Sequence, residues 1–172
     1  SNGAQSASLT FVGLEPITDN GDVADRVFEF TGAAETITLT NDATAGMTFI
    51  DSSLAESVSF LNPTSSLTIR TTVGSGNDTI NIEGVDAAFD ADLIIEADSG
   101  DTVNFQTTAT DIGSGNLNVT AGSFNGIDTT AATDFATTGT ATLDISGAAR
   151  LQPAFDLSAS SFDSTSSSIR LD

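Results

Sequence analysis

Apolar residues recur along this chain in short alternating runs, and the runs resemble one another at a near-constant spacing. Glu35-Thr36-Ile37-Thr38-Leu39 returns as Glu56-Ser57-Val58-Ser59-Phe60, as Asp78-Thr79-Ile80-Asn81-Ile82 and as Asp101-Thr102-Val103-Asn104-Phe105, at spacings of 21, 22 and 23 residues. Each reads acid, hydroxyl, apolar, small polar, apolar. Fainter members are Thr142-Leu143-Asp144-Ile145 and Ser168-Ile169-Arg170-Leu171. A second series runs between the first: Phe28-Glu29-Phe30, Met47-Thr48-Phe49, Leu67-Thr68-Ile69, Leu93-Ile94-Ile95 and Leu117-Asn118-Val119, with Leu9-Thr10-Phe11 one step earlier. Alternation with a period of two marks a strand with one buried face.

An antiparallel β-sandwich also has short strands at regular intervals, but it gives no reason for every second strand to resemble the one before last. A solenoid does, because equivalent strands of successive coils stack ~4.8 Å apart and like residues form ladders. The pattern therefore predicts an all-β chain folded as a parallel β-helix (β-solenoid) of about 20–26 residues per coil, with the antiparallel β-sandwich as the alternative. The predicted inward ladders are Ile37/Val58/Ile80/Val103 and Leu39/Phe60/Ile82/Phe105. Gly and Asp cluster between the strands (Gly74-Ser75-Gly76-Asn77-Asp78, Asp98-Ser99-Gly100-Asp101, Gly113-Ser114-Gly115-Asn116), where tight corners need them. The 172 residues read as one solenoid segment of about eight coils. Residues 1–26 form an irregular N-terminal part, 27–121 regular coils and 122–172 less regular coils, with the Ser-rich stretch 158–168 as a loop before the last strand.

Composition narrows the class of job. The chain carries 24 acidic residues against four positive ones, a net charge of −20. The four are Arg26, Arg70, Arg150 and Arg170; Lys, His, Cys, Tyr and Trp are absent. These absences remove disulfides, Cys or His zinc sites, a Cys nucleophile, a His base and a Lys Schiff base. So acidic a surface repels phosphate backbones, which argues against nucleic acid, and no run is apolar and long enough for a membrane helix. A Thr/Ser/Asp-rich, Lys-free composition is that of an extracellular or cell-surface bacterial protein. No phosphate loop or Ser/His arrangement is present, and the expectation is that the chain is not an enzyme. Paired carboxylates could serve a glycosidase, and Arg70, near an acidic corner, is the one residue a lyase on this fold would recruit.

Gly74-Ser75-Gly76-Asn77-Asp78-Thr79-Ile80 resembles one copy of the calcium-binding RTX nonapeptide, with Val73 in place of its first glycine. In that family glycine turns expose carbonyls and an Asp completes an oxygen cage. The resemblance implies Ca²⁺ at Asp78, with Asp98 and Asp101 of the next coil at the same corner. Carboxylates stacked at ~4.8 Å repel by about 1 kcal/mol in water and about 3.5 at an effective dielectric of 20, which favours a bound cation; the other reading is that they fan into solvent and cap turns. Weaker groups are Asp86/Asp90/Asp92 and Asp19/Asp22/Asp25. The ranks Thr36/Thr38, Ser57/Ser59, Thr79/Asn81 and Thr102/Asn104 would point outward and offer a repeating surface to a polysaccharide or to ice.

In repeat style, along most of its length, the chain is similar to bacterial secreted β-helix repeat proteins, of which filamentous-haemagglutinin-type adhesins, autotransporter passengers and giant surface proteins are the nearest types. That likeness implies an extracellular structural or adhesive repeat segment acting as a stalk or a contact surface. Calcium stabilisation is expected from the RTX-like corner, self-association from coil ends that are sticky edges when uncapped, and a polysaccharide or cell-surface ligand from the outward ranks.

Overall fold

The computed structural model describes residues 17–106, 110–127, 134–152 and 155–171. Leu9-Thr10-Phe11 lies outside them. Alternating apolar and small polar residues give strands throughout, and no helix is present among the described residues. In chain order the strands are β1 (Ile17–Asp19), β2 (Asp25–Glu29), β3 (Thr36–Asn41), β4 (Met47–Ser52), β5 (Val58–Leu61), β6 (Ser66–Arg70), β7 (Thr79–Ile82) and β8 (Asp92–Glu96). They continue as β9 (Thr102–Phe105), β10 (Thr110–Asp111), β11 (Leu117–Ala121), β12 (Ser123–Gly126), β13 (Phe135–Ala136), β14 (Thr140–Leu151), β15 (Leu157–Ser158) and β16 (Ser161–Leu171).

These strands stack in parallel on the faces of a β-solenoid. The first face runs β2-β6-β8-β11-β14-β16 and the second β3-β7-β9-β12-β14-β16. Strands β14 and β16 cross the corner and serve both. A third side holds β10-β13-β15, and by chain order β1 and β5 precede the first face in the same way. From β6 to β16 the chain makes about four full turns.

The core lies along the axis, in columns of like residues. Leu67, Leu93, Leu117 and Ala141 stack on the first face, as do Ile69, Ile95, Val119 and Leu143. On the second face Ile37, Ile80, Val103, Phe124 and Ala149 form one column, and Leu39, Ile82 and Phe105 another. All are buried. Phe105 joins two sides of the coil, with its ring 5.4 Å from Phe124 and 5.2 Å from Phe135, separations at which aromatic pairs attract beyond their area of burial.

The structure corrects the expected stack at its lower end. Val58 and Phe60 do not sit between Ile37 and Ile80, and Met47-Thr48-Phe49 is not a rung of the first face. Instead β3, β4 and β5 form an antiparallel meander. The cause is the turn after β3. The Asp42 carboxylate accepts the Thr44 N–H at 2.7 Å, the Asp42 N–H donates to the Met47 carbonyl, and Gly46 takes φ 80°. This is hairpin chemistry. The chain therefore reverses where the repeat predicted it to continue, and β3 meets β7 directly, Ile37 beside Ile80. One long coil holds the residues that the spacing assigned to two, which is part of why about four turns replace the expected eight. Phe60 is still fully buried, 4.9 Å from the Phe28 ring.

Residues 158–168 also differ from expectation. They are not a loop, because β16 lies against β14 from Ser161 onward. Thr165 Oγ1 donates to Asp144 at 2.8 Å and Ser167 Oγ to the Gly147 carbonyl at 2.5 Å. The edge of β14 below it, not the apolar content of the segment, sets this strand.

Candidate functional site

The acid at the head of the repeat turns the corner between the first and second faces. Asp78 and Asp101 are 4% and 1% exposed. A carboxylate taken this far out of water must be fully hydrogen-bonded, and each finds its donors one rung away or within its own turn. Asp78 Oδ1 accepts the Glu35 N–H at 2.8 Å, and Asp101 Oδ1 accepts the Asp78 N–H at 2.8 Å. Asp101 Oδ2 takes two more, from Thr71 Oγ1 at 2.7 Å and the Asp98 N–H at 2.8 Å. At the bottom of the ladder, the Glu35 carboxylate accepts a hydrogen bond from the Ser52 hydroxyl. Backbone bonds run beside these, from Thr79 N to the Glu35 carbonyl and from Thr102 N to the Asp78 carbonyl.

Glycines let the corner close. Gly76 has φ 121°, and a Cβ there would lie 2.5 Å from the Ala34 nitrogen. One rung above Asp101 the corner shrinks to Gly122, where a Cβ would strike the Ser99 carbonyl.

The structure thus brings Asp78, Asp98 and Asp101 to one corner. The backbone nitrogens of Asp78 and Asp98 donate into Asp101, and the Asp98 residue is exposed. A calcium ion needs about six to eight oxygen ligands. Both oxygens of Asp101 and one of Asp78 accept N–H or O–H donors, and among the described residues no three acidic side chains converge on one point as ligands to a metal would. This donor set fits a hydrogen-bonded ladder and does not fit a calcium cage.

The weaker acidic groups are dispersed in the same manner. Asp86 Oδ1 accepts from Asn62 Nδ2 and the Ala88 N–H, both at 2.9 Å. Asp90 accepts the Ser114 N–H at 2.6 Å and its hydroxyl at 2.8 Å, and these two bonds hold the Asp90 carboxyl below its usual range. Asp92 accepts the Asn116 N–H at 2.7 Å, and Asn116 Oδ1 in turn accepts the Thr140 N–H at 3.0 Å. Asp25 accepts from the Ser66 hydroxyl at 2.8 Å. Asp19 pairs with Arg26; partial burial pushes its carboxyl up, and the Gly21 N–H and the guanidinium outweigh that and lower it. Asp22 is exposed. Arg70, the lyase candidate, lies between Glu96, 2.5 Å from Nε, and Glu29, 3.4 Å from Nη1. The hydrogen bond and charge of Glu96, then Glu29, raise its pKa further.

Outward ranks exist on the second face, in a different membership from the expected one. Thr36, Thr79, Thr102 and Ser123 form one, and Thr38, Asn81, Asn104, Asn125 and Arg150 the other. Asn104 Nδ2 donates to Asn81 at 2.9 Å and Asn125 Nδ2 to Asn104 at 2.8 Å, an amide ladder along the rod. Ser57 and Ser59 lie elsewhere, Ser57 buried and Ser59 donating to Asp42 at 2.6 Å. Sequence reasoning missed Asn125 and Arg150, although Ser123-Phe124-Asn125-Gly126 carries the same alternation. The ladder ends in a shallow cleft of about 200 Å³ lined by Asn125, Gly126, Ile127, Arg150 and Gln152. That is smaller than the ~300–1,000 Å³ of ordinary ligand pockets. In comparisons with known proteins the chain matches no family model, no curated sequence and no solved structure.

Proposed function

We propose that this chain is a structural and adhesive segment of an extracellular bacterial surface protein, a stiff spacer whose flanks make contact. One observation carries the reading. Polar side chains that could do chemistry are instead committed to joining one rung to the next, from the Asp101–Asp78–Glu35 ladder at the first corner to Asp92–Asn116–Thr140 at the second and the Asn81–Asn104–Asn125 ladder on the second face. A stack bonded in this way on side chains as well as backbone resists bending and local opening, which a spacer requires. The acidic, Lys-free surface supports an extracellular setting, where high net charge keeps a rod soluble. Antibody raised against the chain is expected to label intact, unpermeabilised source cells; labelling only after permeabilisation would contradict the reading.

A second reading rests on the amide ladder. Asn side chains repeating along the rod and ending at Arg150 offer a polysaccharide, particularly an acidic one, regularly spaced hydrogen-bond partners and one positive charge. A glycan array distinguishes the two: retention of uronate-containing chains that is lost in Arg150→Ala favours the binding module, and uniform blanks favour the spacer.

A further inference from the structure

The outward rank of the second face is sorted by charge. It begins at Asp51 beside Thr38, passes through the amides Asn81, Asn104 and Asn125, and ends at Arg150 with Arg170 above it. The parallel rank Thr79, Thr102 and Ser123 is uncharged. On its other flank Glu83, one step past Ile82 and 3.5 Å from Gln106 Nε2, places a second carboxylate near the lower end. One end of the rank is therefore acidic, and the other holds two of the four cations of the chain. Arg150 and Arg170 are exposed and in register. Neighbouring strands hold their backbones ~4.8 Å apart, so the guanidiniums repel. Arg150 forms no ion pair among the described residues. In a chain of net charge −20, with carboxylates in plenty to pair with, two cations side by side leave a place for an anion from outside.

We propose, resting on the reading of the amide ladder as a binding module, that this rank holds a glycan chain that is neutral along its length and ends in one acidic sugar. The carboxylate of that sugar lies between Arg150 and Arg170, and the neutral residues run down the rod over the amides. Guanidinium groups hold a carboxylate by paired, charge-assisted hydrogen bonds. The cleft beside Arg150 receives the ring that bears the acid. Ile127 offers an apolar surface to the C–H face of that ring, and Asn125 and Gln152 offer amides to its hydroxyls. At about 200 Å³ the cleft suits one ring of a chain better than a free-standing ligand. Below it, Asn104 spends one N–H on Asn81 and one lone pair on Asn125. It keeps one of each, the pair that a sugar hydroxyl, donor and acceptor at once, can meet.

The same rank disfavours other acidic ligands. A chain charged at every residue would carry its carboxylates past the uncharged amides to Glu83 and Asp51, where like charges repel. Nucleic acid fails for the same reason, since each of its residues is charged. An acidic peptide gains main-chain bonds only at a free sheet edge. Here the backbone groups are already paired on both sides, β9 between β7 and β12, and β12 between β9 and β14. Side chains alone are on offer.

The test is an array printed with the same neutral glycan chains in three forms: bare, capped by one uronic or sialic acid, and uronylated throughout. Acidic peptides are printed alongside. Capped chains are expected to bind about tenfold or more tightly than bare ones, the gain from charge-assisted hydrogen bonds, and more tightly than the fully uronylated ones. Arg150→Gln and Arg170→Gln, both on exposed residues, should each erase the preference for the cap and leave weak retention of bare chains. Asn104→Ala should weaken bare and capped chains alike. An unchanged melting temperature in each variant shows that the solenoid is intact. Equal retention of bare and capped chains, firmer retention of fully uronylated ones, or a preference indifferent to both arginines would overturn the proposal and leave the binding module standing. An array blank for every glycan, or answering to the peptides alone, would overturn the binding module with it.

Discussion

At the residue scale, the clearest unit is Asp101, because one side chain holds three donors. Replacing it by Ala leaves the Asp78 N–H, the Asp98 N–H and the Thr71 hydroxyl without their acceptor. Each buried orphan costs roughly 1–3 kcal/mol, less what is recovered by removing a buried charge, so Asp101→Ala is expected to destabilise by about 3 kcal/mol in a urea melt. Exposed carboxylates act more weakly and through pH. Bonds from the Ser59 hydroxyl, then the Thr44 N–H, hold Asp42 below its usual range, and bonds from the Ser114 N–H and hydroxyl do the same for Asp90. A depressed folded pKa contributes stability that is complete above the unfolded value, about 3.9, and is lost as pH falls through the folded value. Stability is therefore expected to decline below about pH 4, with a shallower decline in the double variant Asp42→Asn/Asp90→Asn.

At the element scale, the strands were legible wherever a local rule governs them, and illegible where a neighbour does. Alternation alone located β3, β7, β9, β6, β8 and β11. It could not show that Met47-Thr48-Phe49 runs backwards, because a strand's alternation reads the same in either direction. The reversal resides in Asp42, Thr44 and Gly46, whose turn chemistry the repeat pattern obscured. Nor could composition show that the Ser-rich β16 is a strand, since its order comes from the edge of β14. Corners are elements too, and they shorten along the rod, from 71–78 to 97–101 to Gly122. At Gly122 an added Cβ would meet the carbonyls of Ser99 and Asp101, which are backbone and cannot move aside. Gly122→Val is expected to cost about 2–4 kcal/mol and to loosen β12 first, seen as faster amide exchange in residues 123–126 than in β7.

At the scale of the whole molecule, stiffness comes from side-chain ladders that parallel the backbone ladders. The corner acids were readable as a stacked set. Their role was not, because the sequence shows carboxylates but not the N–H groups that face them. Ladder bonding predicts no calcium-specific effect. Millimolar Ca²⁺ and Mg²⁺ should move the melting temperature alike, by screening the charge of −20, whereas a rise with Ca²⁺ alone would return the corner to a metal.

The sequence by itself determined the strand period, the stacking of like on like, the acids Asp78 and Asp101 at successive corners and the absence of whole classes of reagent side chain. These follow from local rules: a pleat of two residues, tight corners that need glycine, and the burial of apolar rows. Only the tertiary structure decided that one rung folds back as a meander, that the acids face backbone donors, and that the Ser-rich stretch lies as a strand against β14. Such facts depend on which edge lies next to which, and no residue encodes its neighbour across a sheet until the chain has closed its coils.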